Sequence, residues 1–164
     1  MITIRPVDPQ ADAAQIAEIY SYYVSDTAVS FETVPPTVDE MEARLTEITA
    51  RFPCFAAVVP EGNIVGYCYA HPWKERAAYG QTLETTVYLR RNYSGQGVGT
   101  LLMQRLIEEC KICGYRSLIA CITASNVSSR EFHTRLGFKQ VSDFKDVGFK
   151  FGRWLDVTDY QLML

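Results

Sequence analysis

Long apolar runs are missing from this chain, and no stretch of its 164 residues approaches the roughly 20 that a membrane-crossing helix requires. A basic excess is missing too. Lys and Arg number 16 against 19 Asp and Glu, a net charge of −3, and with no basic run the electrostatic footprint of a nucleic-acid binder is absent. Histidine is scarce: His71 and His133 stand alone, too few to make a recognisable zinc-ligand spacing with the cysteines. The N-terminus carries Arg5, Pro6 and Pro9 where a secretory leader would be apolar. No repeat, linker or low-complexity tract interrupts the chain. These absences lead us to expect a cytoplasmic protein that binds no metal, no nucleic acid and no membrane. What is present, 48% apolar and 21% charged residues, is ordinary globular composition, and the length suits a single domain over residues 1–164.

The cysteines are odd in number: Cys54, Cys68, Cys110, Cys113 and Cys121. Most sit in apolar runs, as reduced thiols in a core do, so no disulfide framework is expected. Cys110-Lys-Ile-Cys113 spells C-x-x-C, but it ends a helical pattern, whereas an activated redox cysteine needs the positive start of a helix.

Periodicity orders the chain as a strand, two helices, three strands, a helix, a strand, a short helix and a β-patterned tail. Ile2 to Arg5 alternates like a strand. Asp12 then reads as the cap of a helix whose Ile16, Ile19, Tyr20 and Tyr23 share one face. Thr37-Val-Asp-Glu40 is a capping box for a second helix carrying Met41, Leu45 and Ile48. Phe55 to Val59 and Ile64 to Ala70 flank the turn composition Pro60-Glu-Gly-Asn63 and predict an antiparallel hairpin. Thr82 to Leu89 predicts a strand. Gly97 to Cys113 predicts a helix stopped by Gly114. Ser117 to Thr123 is apolar enough to be covered on both faces, which predicts burial for Cys121. A short helix over Asn126–Leu136 and β segments at Phe138–Val141, Val147–Phe151 and Trp154–Leu164 complete an α/β (α+β) arrangement, a mixed sheet with helices on both faces.

The most informative stretch is Tyr93-Ser-Gly-Gln-Gly-Val-Gly-Thr100, between a strand and a long helix. Glycines at alternate positions let a ligand approach the backbone, and the amides of the helix start suit a pyrophosphate. A dinucleotide fold, a P-loop, a coenzyme A site and a plain structural turn compete for this pattern. The P-loop fails because no G-x-x-x-x-G-K-[ST] follows. The dinucleotide reading lacks an opening βαβ context, and Ser117 to Thr123 ends without the acid that holds a ribose.

Downstream, Asn126-Val-Ser-Ser129 and Phe132-His-Thr-Arg-Leu-Gly-Phe138 make this core resemble the GCN5-related N-acetyltransferase (GNAT) superfamily. Outside it, Ser30-Phe-Glu32, Gly66-Tyr-Cys-Tyr-Ala70, Pro72-Trp-Lys-Glu-Arg-Ala-Ala-Tyr79, Thr82-Leu-Glu-Thr-Thr-Val-Tyr88 and Val147 to Val157 resemble its phosphinothricin and methionine sulfoximine acetyltransferase branch. The resemblance implies a central sheet splayed at the coenzyme site, acetyl-CoA as donor, a small amino acid analogue as amine acceptor, and a homodimer built on the C-terminal β segment and the Trp73–Tyr79 loop. The chain departs from the superfamily pattern at Ser94, Thr123 and Glu131.

Acetyl transfer to an amine needs a base for the ammonium, a donor for the oxyanion and a proton for the departing thiolate. Glu84, inside the apolar strand Leu83-Glu-Thr-Thr-Val, would be costly facing inward without a purpose; an outward-facing carboxylate is the plain alternative. The resemblance makes Glu84 the general base and puts an oxyanion-holding backbone amide around Tyr88. It also implies pairing of Val87, Tyr88 and Leu89 with the pantetheine arm. His133 is placed near the coenzyme sulfur as a proton donor or relay. The coenzyme is expected to lie against Ser94, Gly95, Gln96, Gly97, Val98, Gly99 and Thr100, and to be hydrogen-bonded by Asn126 and Ser129. Arg76 offers a two-pronged donor for the acceptor's carboxylate, with Phe31, Glu32, Tyr79 and Lys150 expected around the acceptor. A covalent route through Cys121 is the chemical alternative to direct attack. A non-catalytic acyl-CoA-binding module and an enzyme for a polyamine or a protein N-terminus are the functional alternatives.

Overall fold

In the computed structural model, which describes all residues Met1–Leu164, one eight-stranded mixed sheet carries the molecule. Strand β1 (Thr3–Pro6) leads into α1 (Pro9–Ser25) and α2 (Val38–Thr49). The hairpin β2 (Cys54–Val58) and β3 (Ile64–Pro72) follows, then β4 (Thr82–Leu89) and α3 (Val98–Ile112). Strand β5 (Ser117–Thr123), α4 (Val127–Arg135), β6 (Lys139–Gln140), β7 (Phe144–Lys150) and β8 (Arg153–Met163) complete the chain. The order across the sheet is β1-β2-β3-β4-β5-β8-β6, with β7 also paired to β8. No helix is long and apolar enough to cross a membrane.

The sheet separates two cores. On one face, Leu102, Met103, Leu106 and Cys110 of α3 pack on Phe55, Val65, Leu83, Leu118 and Ala120. On the other, Ile16, Ile19 and Tyr20 of α1 and Met41 and Leu45 of α2 pack on Ala56, Ile64 and Tyr67. Period-2 alternation therefore sends Leu83 to the α3 core and its neighbour Glu84 to the opposite face.

Helix starts differ in an instructive way. Asp8, not Asp12, caps α1, its carboxylate accepting from the amides of Gln10 (3.1 Å) and Ala11 (3.2 Å). Pro9 explains the earlier start, since its fixed φ and missing N–H suit the first helical position. Asp12 is instead drawn inward, buried and paired with Arg5 at 2.7 Å. The Thr37–Glu40 capping box of α2 is present in both directions, and Asn126 caps α4 by accepting from the amide of Ser129 at 3.2 Å. Helix α3 alone has no side-chain cap: Gly97, at φ +83°, stands at its entry.

The sheet opens at its centre. Strands β4 and β5 pair in parallel only at Thr82–Ser117, Leu83–Leu118 and Glu84–Ile119, although both continue beyond. Past Glu84, β4 keeps its ladder with β3 to Gly66–Leu89, while β5 stays with β8 to Thr123–Val157. The expected splay falls here.

Candidate active site

A cavity of about 540 Å³ lies at the splay. Glu84, Thr86 and Tyr88 line it from β4, Tyr69 and His71 from β3, Cys121 and Thr123 from β5. Tyr20 and the loop residues Val29, Ser30, Phe31 and Glu32 close one side, and Asn126, Ser129 and His133 of α4 close the other.

Glu84 ends the parallel pairing, so its carboxyl projects into the gap and not into a packed layer. Burial and the nearby Asp159 push its pKa up to about 7. The carboxyl therefore exchanges its proton in the physiological range, as a general base must. Across the ladder its partner is His71, whose Nε2 lies 3.8 Å from Oε1.

The ladder decides which backbone donors are open. Arg90 donates its amide to Val65 at 2.8 Å, which makes 65–90, and by alternation Tyr67–Tyr88, hydrogen-bonded pairs. The amide of Tyr88 is thus engaged with β3, and the amides of Val87 and Leu89 face the gap. The sequence expectation of an open donor around Tyr88 shifts to these two neighbours, because alternation gives each β4 amide to only one side. The Tyr88 ring packs against Tyr20, Tyr23 and Tyr67.

Beyond β4, Ser94, Gly95, Gln96 and Gly97 are exposed, while Val98 and Gly99 are buried at the α3 start. Gly95 and Gly97 adopt φ of +76° and +83°, the left-handed region that glycine enters without steric cost. Gly99 sits against the Phe132 ring, where a Cβ would come within 3.3 Å. The first-turn amides, with no side-chain cap, lie open up to Thr100.

His133 is buried between Phe132 and Phe138, and its Nδ1 donates to the Ser129 carbonyl at 2.8 Å. That bond leaves Nε2 as the unprotonated nitrogen, and burial pulls the pKa below the ordinary histidine value. His133 is accordingly a neutral imidazole able to accept a proton on the cavity side. Direct donation to a thiolate is the less suited of its two expected roles.

The acceptor-side expectations divide. Phe31, 40% exposed, lines the cavity. Glu32 lines it as well, but its carboxylate is spoken for: Arg44 holds it in a two-pronged pair at 2.6 and 2.9 Å and the Tyr20 hydroxyl donates to it. Arg76 and Tyr79 are not brought to the cavity. The chain between β3 and β4 turns outward in a single 3-10 turn, Ala77–Tyr79, with Tyr79 edge-on to Trp73 and Arg76 exposed. Lys150 does not line the cavity either; it is buried behind it, donating to the Ser30 carbonyl at 2.7 Å and so fixing the loop that carries Phe31.

Cys121 corrects its expected burial. It is exposed toward the cavity because β5 has lost its β4 neighbour there. Burial, Asp159 and Glu84 push its thiol up to about 12, so it remains protonated and a poor nucleophile. The other thiols are free as well, and no three His, Cys, Asp or Glu side chains converge as metal ligands. Sequence reasoning missed His71, Tyr69 and Tyr20. The alternation Tyr67, Tyr69, His71 was visible, but its face became informative only with the β3–β4 register.

A sheet parted around a titrating carboxyl, with an open strand edge and an uncapped helix start beside it, defines an acetyltransferase of the splayed-sheet type. Residues 4–158 match the acetyltransferase (GNAT) domain, and the chain belongs to that family. It is 40% identical to a phosphinothricin N-acetyltransferase of Alcaligenes faecalis, over 95% of this chain and 79% of that enzyme. It is 37% identical to an L-methionine sulfoximine/L-methionine sulfone acetyltransferase of Salmonella typhimurium, over 99% and 95% of the two. A phosphinothricin acetyltransferase of Sinorhizobium meliloti in complex with acetyl-CoA has the same fold at a TM-score of 0.95 and 35% identity, covering 99% of this chain and 88% of that one.

Proposed function

We propose that this chain transfers acetyl from acetyl-CoA to the α-amine of a small amino acid analogue of the phosphinothricin, methionine sulfoximine or methionine sulfone kind, by direct attack in a ternary complex. The observation that carries the reading is Glu84: a carboxyl with a pKa raised to about 7, facing the gap onto which the amides of Val87 and Leu89 open. Glu84 takes the ammonium proton, the amide of Val87 or Leu89 holds the carbonyl oxygen as charge develops on it, and His133 takes the second nitrogen proton of the tetrahedral intermediate through Nε2 and relays it to the departing thiolate, so that coenzyme A leaves as the thiol. The open amides of Gly97 to Thr100 suit a pyrophosphate, and Asn126 and Ser129 suit the pantetheine amides. The thioester supplies the activated acetyl group.

The cavity lining of one chain contains no Lys or Arg. A cation for the acceptor's carboxylate therefore has to come from outside the lining, and exposed Arg76 is the candidate. Exposed Phe149, Phe151 and Trp154 at the β7–β8 hairpin support a homodimer, in which one copy's loop and another's cavity are neighbours. The same missing cation favours a second reading, an acceptor without a free carboxylate, such as a polyamine or a protein N-terminus. Five free thiols are in keeping with a cytoplasmic site of action for this single-domain enzyme.

The test is steady-state thiol release from acetyl-CoA against methionine sulfoximine, methionine sulfone, phosphinothricin, plain amino acids, polyamines and a short peptide. The reading expects the highest kcat/KM with one of the first three. A polyamine or peptide as best acceptor establishes the second reading, and acetyl-CoA binding with no amine-dependent release makes the chain a binding module.

A further inference from the structure

We propose that His71 is the proton outlet of Glu84, a positioning residue that takes up the proton the carboxyl has removed from the acceptor and hands it to water. The inference rests on the acetyltransferase reading. The net reaction frees one proton per turnover, from the acceptor ammonium, and Glu84 must shed it before the next cycle.

The groups facing Glu84 are few. On β3 they are His71 and Tyr69; on β5, Cys121; on β8, Asp159. Tyr69 and Cys121 have their acid dissociation pushed upward by burial and hold their protons. Asp159 is a carboxylate whose charge raises the pKa of both Glu84 and Cys121. His71 alone presents an unoccupied basic nitrogen. Its Nδ1 donates to the Pro72 carbonyl at 3.1 Å, which fixes the tautomer and leaves Nε2 bare, 3.8 Å from Glu84 Oε1. A small rotation of either side chain closes that distance to a hydrogen bond. Cross-strand pairing of His71 with Glu84 and the Tyr69 ring beside it, at 5.7 Å between centroids, hold the imidazole there. The His71 side chain is 33% exposed, at the end of the ladder where β3 runs out into the surface loop. One end of the pair meets the cavity and the other meets solvent.

The step balances simply. The ammonium gives its proton to the Glu84 carboxylate, leaving a neutral amine. The Glu84 carboxyl gives that proton to His71 Nε2, restoring the carboxylate and forming an imidazolium. Water or buffer takes it from Nε2, with the Nδ1–Pro72 bond intact throughout. Burial keeps the imidazole below the ordinary histidine pKa, so the cation is short-lived at neutral pH.

The experiment compares wild type, His71→Ala and His71→Gln on the best acceptor, over a series of buffer concentrations and with increasing imidazole. Wild-type turnover establishes the underlying reading by itself. The proposal expects kcat to fall roughly 10- to 100-fold in both variants, the lower range for a positioned proton-transfer group, with KM for acetyl-CoA unchanged. It expects kcat of His71→Ala to rise with buffer concentration, because water and buffer are then the only takers of the Glu84 proton. Added imidazole restores His71→Ala and leaves His71→Gln slow. Full activity in His71→Ala, or a loss that neither buffer nor imidazole relieves, overturns the relay and leaves the acetyltransferase reading standing.

Discussion

Glu84 is held in the fold at a cost, and the cost has a sign. Its pKa in the native state is raised from the ordinary 4.5 to about 7, so between those values the folded chain keeps a proton that the unfolded chain has released. Stability therefore falls as pH rises through that window. Glu84→Gln is expected to gain roughly 2 kcal/mol above pH 7 while losing at least about 100-fold in kcat/KM; chemical denaturation at pH 5 and pH 8 beside the thiol assay checks both halves. In wild type, kcat/KM should rise with pH through about 7, since only the carboxylate form takes a proton. Phe31 offers a gentler test. A Cβ on Gly148 would run into the Phe31 ring, and the ring, at the free end of an exposed side chain, is what must give way. Gly148→Ala should swing Phe31 away, raise KM for the acceptor several-fold and leave KM for acetyl-CoA alone. Cys121→Ala should keep sequential kinetics and most of the rate, as befits a thiol that stays protonated; a ping-pong pattern lost in that variant would restore the covalent route.

At the level of elements, what was legible in the sequence was local. The Thr37–Glu40 box, the Gly114 stop and the extent of Thr82–Leu89 each depend on residues a few positions apart, and each appears where the pattern put it. The α1 start lies one turn before Asp12, at Asp8, because Pro9 suits the first helical position, and only the fold brings Arg5 to Asp12. The direction of the Trp73–Tyr79 loop and the face of His71 depend on a nine-residue connection and on register, which no local pattern encodes. The caps give a matched pair of predictions. Thr37→Ala should cost about 1 kcal/mol of stability with both KM values unchanged, because α2 lies off the cavity. Gly97→Ala forces a side chain into the left-handed region and should cost roughly 1–2 kcal/mol, while also raising KM for acetyl-CoA by displacing the α3 amides. Thermal melts and initial rates on the two proteins separate the effects.

For the whole molecule, Arg76 and the aromatic hairpin point the same way. Trp154 is 63% exposed and Phe149 58%, a surface that a chain of this size covers more readily with a second copy than with water. Sedimentation should give twice the mass of one chain, and Arg76→Ala should raise acceptor KM without changing that mass; a monomer at all concentrations would leave Arg76 a plain surface charge. The parted sheet has a further kinetic consequence. Its cavity lies between the loop that carries Phe31 on one side and α4 on the other. An acceptor held at the first wall and a coenzyme at the second, as proposed, need not queue, since neither has to pass the other. On the proposed function the site then works as a junction and not as a cul-de-sac, and initial-rate and product-inhibition patterns are expected to show no fixed order of arrival.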